Sequence, residues 1–214
     1  MGTNVNVNDN RNYRRYVILT TLSLFLLIAV LAGSSAHGSD CPNAETAKNG
    51  FVLDGQGVSA VIRQSDEQIT SMHNKYRSET PQTQFFVGGL IEVFRNSTTG
   101  QFVALPDSDF RKLFPLRKGK EQEISWLSLD ARKGTAERRS MSLKATGEET
   151  IELGACAYDV VAVRQIMMDG KGEVLDTWTA LYSPDLQVVL AKRYDEGTAQ
   201  EETVAFKTIR PLSE

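Results

Sequence analysis

From Gly50 onward, apolar and polar positions alternate along much of the chain. Met141, Leu143 and Ala145 are interleaved with Ser142, Lys144 and Thr146, and Val204 and Phe206 with Thr203 and Lys207. A period of two predicts β-strands with one face turned to a core. Val174, Trp178, Ala180 and Tyr182 fall on one side of a further run whose other side is Leu175, Thr177, Thr179 and Leu181. Turn chemistry separates these runs. Asp169-Gly170-Lys171-Gly172 reads as a hairpin, Ser183-Pro184-Asp185 breaks the next connection, and Asp195-Glu196-Gly197 the one after. The last four strands, 156–168, 174–182, 187–194 and 201–210, therefore read as an antiparallel meander.

The front half gives strand candidates at 51–53, 58–64, 68–76, 83–95 and 101–105. Gly88-Gly89 interrupts the fourth of these, and a glycine pair within a strand marks a bulge or bend. Helix is scarce. Pro42 to Asn49, ended by Gly50, suits one short helix. Asp107-Ser108-Asp109 suits the cap of another, with Phe110, Leu113 and Phe114 inward and Pro115 as its stop. The polar connection 115–121, PLRKGKE, is placed to divide two halves of one sheet. The expected fold is mainly β: an antiparallel meander forming an open or half-barrel sheet, or a two-layer sandwich, with one or two short helices. In the strand 156–168, Tyr158, Val160, Ile166 and Met168 face one way, and Val161, Val163 and Met167 the other. Apolar side chains on both faces mean that both faces are covered.

One run is apolar without alternation. Val17 to Gly33, VILTTLSLFLLIAVLAG, carries no charge and comes after Arg11, Arg14 and Arg15. A charge inside it would cost about 3 kcal/mol in a bilayer, and the arginines hold the front inside, so the chain beyond Gly33 is exported. The run falls between a secretory apolar core and a spanning helix in length. Ser34-Ser35-Ala36 favours cleavage, and the long polar front favours a retained anchor. The organisation expected is a cytoplasmic or leader segment at 1–16, a signal peptide or signal-anchor helix at 17–36, and an exported β-rich domain at 37–214. The expected location is periplasmic or extracellular, with an inner-membrane anchor if the segment is retained.

Charge narrows the partners. The chain has a formal net charge of −3, and residues 1–36, with Arg11, Arg14, Arg15 and Asp9, carry +2, so the exported part carries −5. Nucleic acid is a poor partner for such a surface, because phosphate contacts need a surplus of lysine and arginine. The basic stretches DFRKLFPLRKGK and DARKGTAERRS are interleaved with Asp109, Glu121, Asp130 and Glu137 and read as solvated loops. The two cysteines, Cys41 and Cys156, would sit in an oxidising space, where the simplest outcome is one disulfide.

Catalytic signatures are few. A Ser-His-Asp triad would have to use His73, since His37 lies at the possible cleavage scar. The exported part has too few cysteines and histidines for a structural zinc site, so no metal and no cofactor is expected. Asp169-Gly170-Lys171-Gly172-Glu173 has the outline of a calcium loop, but the Lys171 ammonium would repel the ion. Glu92, Asp159 and Asp176 are strand carboxylates of the kind a glycoside hydrolase would pair. Asn96-Ser97-Thr98 fits a glycosylation sequon.

The aromatic residues can fill a closed core or line a concave sheet face, and Trp126, Trp178, Tyr182 and Phe206 are the candidate ligand contacts. TALYSPDLQVVLAKRY, Thr179 to Tyr194, and the arginine-flanked front with Cys41-Pro42 behind it resemble exported bacterial envelope proteins of uncharacterised function. The meander is also similar to the half-barrels of lipoprotein carriers. Neither resemblance carries functional residues over. The function expected is a non-enzymatic envelope domain that binds a partner protein, lipid or glycan. The alternatives are a hydrolase of envelope polymer working through strand carboxylates, and a structural or adhesive module.

Overall fold

The structure, a computed structural model, describes residues 41–213 except 67, 78, 79 and 99. The leader and apolar segment expected at 1–36, and His37, lie outside the described residues. Among the described residues, no helix is long and apolar enough to cross a membrane.

The strands are β1 (Phe51–Gly55), β2 (Val58–Asp66), β3 (Ile69–Tyr76), β4 (Gln82–Val87), β5 (Ile91–Asn96) and β6 (Gln101–Pro106). They continue as β7 (Glu121–Asp130), β8 (Thr135–Leu153), β9 (Cys156–Asp169), β10 (Val174–Ser183), β11 (Val188–Tyr194) and β12 (Glu202–Pro211). Each pairs antiparallel with the next, and β1 pairs with β12, so the sheet is a closed twelve-stranded barrel. Closure replaces the expected open sheet, half-barrel or sandwich. The pairs Phe51↔Pro211 and Leu53↔Ile209 join the two ends, so each described strand has a paired neighbour on both sides. The outward positions of the β7–β8 hairpin carry Glu121, Glu123, Arg138 and Lys144, all exposed, which is not the apolar band of a lipid-facing barrel.

The meander of the last four strands matches the expected ranges closely. Three expectations in the front half change. The run 83–95 is two strands, because Gly88 and Gly89 both take the left-handed conformation, with φ of 59° and 71°, and turn the chain back on itself. Residues 121–130, EQEISWLSLD, form a strand, so the connection before them does not divide the sheet: β6 pairs directly with β7 from Phe102↔Asp130 to Pro106↔Trp126. The two short helices are 3-10 turns, Thr46–Asn49 and Phe110–Leu113. Asp109 caps the second by accepting from the Arg111 N–H at 3.1 Å, and Phe110 and Leu113 are buried. Val174 does not share the inward face of Trp178, because the register shifts between Val174 and Asp176; Val174 is 63% exposed and Leu175 49%.

Two apolar clusters lie on opposite faces of the β9–β10 ribbon. Tyr158, Val160, Ala162 and Leu181 join Phe51, Leu53, Ile62, Leu186 and Leu190 in one. Val163, Trp178, Ala180 and Tyr182 join Ile91, Phe110, Ile124, Trp126, Met141 and Leu143 in the other. The pairs Leu181↔Ala162 and Ala180↔Val163 are adjacent in register, so the two clusters alternate residue by residue across the same strands. The long strand β8 serves both. Its register shifts between Ala145 and Gly147, and the extra residue reverses the inward parity. Met141, Leu143 and Ala145 therefore face one way, while Ile151 and Leu153, also odd-numbered, pack against the other cluster.

Cys41 and Cys156 are joined by a disulfide, with their Cα atoms 5.7 Å apart. It ties the segment before β1 to the first residue of β9, at the edge of the cluster that holds Ala47 and Leu153.

Candidate functional site

The barrel encloses an open-mouthed cavity of about 1000 Å³, lined by residues from every strand except β1. Leu90, Ile91, Trp126, Met141 and Trp178 belong both to its wall and to the second apolar cluster, which forms its floor. Phe86, Phe102, Met167, Val189 and Phe206 extend the apolar lining. A cavity of this size with a mainly apolar wall and a few polar groups has the form of a small-molecule site.

The polar groups fall into two sets. The first is satisfied within the protein. Glu92 on β5 accepts from Arg95 Nε at 2.7 Å and from Gln84 Nε2 at 2.7 Å, its second oxygen takes another Arg95 N–H, and Asn74 Nδ2 donates to Gln84 Oε1 at 2.7 Å. The Glu92 hydrogen bond raises the Arg95 pKa, against the opposing effect of burial. This network crosses β3, β4 and β5 on the lumenal face.

The second set is not satisfied. Trp126 Nε1, Trp178 Nε1, Gln165 Nε2 and Asn74 Oδ1 are buried and have no hydrogen-bond partner among the described residues. All four residues line the cavity. Gln165 is 2% exposed, Trp126 4% and Trp178 7%. A buried polar group left unpaired costs about 1–3 kcal/mol, so four around one cavity are a strong local anomaly.

Lys192 on β11 stands beside them. Its ammonium lies 5.0 Å from the Trp178 ring centroid, a cation–π contact, and it makes no ion pair among the described residues. Burial lowers its pKa, and the charges of Glu92 and Asp176 pull the other way. Register puts Gln165, Trp178 and Lys192 on one patch of wall: Trp178 pairs across to Gln165 on β9 and to Tyr194, two residues beyond Lys192, on β11. Asp176 and Glu202 line the cavity from exposed positions. Burial raises the Tyr194 pKa, with smaller contributions from Asp176 and Glu202.

Of the aromatic candidates, Trp126, Trp178 and Phe206 line the cavity. Tyr182 is buried in the core instead, its ring 6.2 Å from Phe114, and burial raises its pKa. Glu92 and Asp176 line the cavity; Asp159 does not, and its exposed carboxylate accepts from Thr150 Oγ1 at 3.3 Å. His73 is exposed on β3, with Nδ1 3.1 Å from Thr83 Oγ1. Among the described residues, no group of His, Cys, Asp and Glu has the arrangement of a metal site. Asp169 closes its hairpin by accepting from the N–H groups of Lys171 and Glu173 at 2.8 and 2.9 Å. Asp107 pairs with Arg138, Asp109 with Arg111 and Asp130 with Lys133, so each basic stretch is tied to an acid. The residues that sequence reasoning passed over are Gln165 and Lys192. The strands themselves carry no signal that sets them apart: Gln165 shares its face with Val161, Val163 and Met167, but Arg164 stands beside it, and Arg193 beside Lys192.

Fold and cavity together define a closed, all-β barrel with an amphipathic lumen and one disulfide. Among solved structures, the chain is similar to the crystal structure of the hypothetical lipoprotein YmcC from Escherichia coli K12, at 11% identity over 76% of this chain and 87% of that one, with a TM-score of 0.49. No protein-family model matches the sequence, and no curated protein matches it.

Proposed function

We propose that this chain is an exported, non-enzymatic envelope domain whose barrel holds a single-chain amphipathic molecule in its lumen. The observation that carries the reading is the set of unpaired buried polar atoms around the cavity of about 1000 Å³. A bound molecule with an apolar body and a polar head would cover the aromatic wall and bring an acceptor to the unpaired donors of that set. Export is supported by the disulfide and by the apolar run behind arginines at 17–33. A binding role is favoured over hydrolysis because both oxygens of Glu92 are already taken by Arg95 and Gln84.

The chain has two tryptophans, and both line the cavity, so intrinsic fluorescence reports on the lumen without a label. Protein purified from its host's export fractions should release an amphiphile on organic extraction. After extraction, single-chain lipids should shift or quench the emission saturably at one equivalent. An empty cavity, with emission unmoved by any single-chain lipid, overturns the reading and leaves an adhesive or structural module.

A further inference from the structure

We infer that the bound amphiphile is an anion, with a carboxylate or phosphate head seated among Lys192, Gln165 and Trp178. The inference rests on the lumenal-binding reading and names the chemistry of its ligand. Three neighbouring strands, β9, β10 and β11, present these side chains on one face, and Gln165 and Trp178 are directly opposite each other in register. What they offer is donors: the Gln165 amide N–H groups, the Trp178 indole N–H and the Lys192 ammonium. Elsewhere on the cavity wall Trp126 has a second unpaired indole N–H, and among the described residues that line the cavity Asn74 Oδ1 is the one buried acceptor left unpaired.

A cationic head would meet these donors and Lys192 with repulsion. A neutral head would satisfy the amide and indole groups and leave the ammonium without an ion pair, facing only the charges of Glu92 and Asp176. An oxyanion satisfies both, and its hydrogen bonds to an ammonium are roughly twice as strong as neutral ones. The acids of the cavity do not fill that place. Glu92 is bonded to Arg95 and Gln84. Asp176 and Glu202 are exposed, and Asp176 Oδ1 accepts from the Thr177 N–H at 2.8 Å. The Lys192 ammonium lies 5.0 Å from the Trp178 ring centroid, which places the charge against the aromatic wall of the cavity.

The test is a tryptophan-fluorescence titration of the extracted full chain with four single-chain probes of equal acyl length, each below its micellar concentration. They are a fatty acid, a lysophosphatidic acid, a monoacylglycerol and an alkyltrimethylammonium. At least one of the two acids should bind tenfold or more tightly than the monoacylglycerol, and which acid does so identifies the head. Lys192→Met should erase that preference by bringing the affinity for the acid down to that for the monoacylglycerol. Lys192→Arg should retain it. If Lys192→Met does not fold, Gln165→Met and Trp178→Phe replace it, and each should cut affinity for the acid about threefold or more. Equal binding of the acids and the monoacylglycerol overturns the anion inference and leaves lumenal binding standing. Binding of none of the four removes the lumenal reading itself.

Discussion

Gly89 is packed against the backbone of Gln187: a β-carbon built on Gly89 would fall 1.6 Å from the Gln187 carbonyl oxygen. The contact joins the β4–β5 turn to the β10–β11 turn, two elements far apart in sequence. The Gln187 carbonyl also accepts from Thr70 Oγ1 at 3.1 Å, so β3 holds the same point. Leu186, next to it, is fully buried. The tip of the β10–β11 hairpin is thereby pinned across the barrel. Gly89→Ala should lower stability by about 2–4 kcal/mol, combining the left-handed backbone with the overlap. Gly57→Ala is the control: its φ is 83°, but nothing lies within 4 Å, and it should lose only about 1 kcal/mol. Urea unfolding of both variants measures the difference, and equal losses would show that the Gln187 contact does not matter.

The disulfide links residues 115 apart, and chain-entropy reasoning assigns a closure of that size about 4–5 kcal/mol. Cys156→Ser should lose most of that in oxidising buffer. With reductant present, wild type should fall to the level of the variant. A loss that persists equally in reductant would assign the effect to packing of the buried Cys156 side chain.

Tyr158 is buried in the first cluster with a hydroxyl that has no partner among the described residues. Burial pushes its pKa up to about 12. The unfolded chain ionises near pH 10, so stability is fully present below about pH 10 and falls as pH rises toward the folded value. Tyr158→Phe should be neutral or more stable by about 1 kcal/mol at pH 7, since an unpaired hydroxyl is removed. Its advantage over wild type should widen between about pH 10 and 11.5. Melting curves of the pair across that range test this, and a constant gap would show that the phenol titrates as in the unfolded chain.

Arg193 on β11 donates to Glu149 on β8 at 2.9 Å, bridging two strands that are not neighbours in the sheet. The hydrogen bond to Arg193 lowers the Glu149 pKa. That stabilisation is present above the ordinary carboxylate range near pH 4 and is lost as pH falls through the depressed value. Glu149→Gln should cost at most about 1 kcal/mol at neutral pH, because both side chains are partly exposed. The gap between variant and wild type should close in acid. A double-mutant cycle with Arg193→Met isolates the pair, and a coupling of zero would make it a surface coincidence.

The amino-acid pattern by itself determined the parts of this protein that depend on neighbours in sequence. Alternation and turn residues located β9 to β12 nearly to the residue, because a hairpin's register is set by its own turn. Two-sided apolar patterning in β9 showed that both faces would be covered. Gly88-Gly89 was visible as an interruption, but whether a glycine pair bends a strand or reverses it depends on what the flanking strands pair with. Closure was decided by the pairing of β1 with β12, some 160 residues apart along the chain. No local signal records such a pairing. The same holds for the lumen. Trp126, Trp178 and Phe206 stood out as aromatic candidates, and Tyr182 stood beside them with the same alternation. Only the packing put Tyr182 against Phe114 in the core and left the others on the cavity wall. Gln165 and Lys192 sit beside other polar residues, Arg164 and Arg193, and nothing in the strands themselves sets them apart. The β9–β10 and β10–β11 pairings set them on either side of Trp178, on the face that closure of the sheet turns toward the cavity.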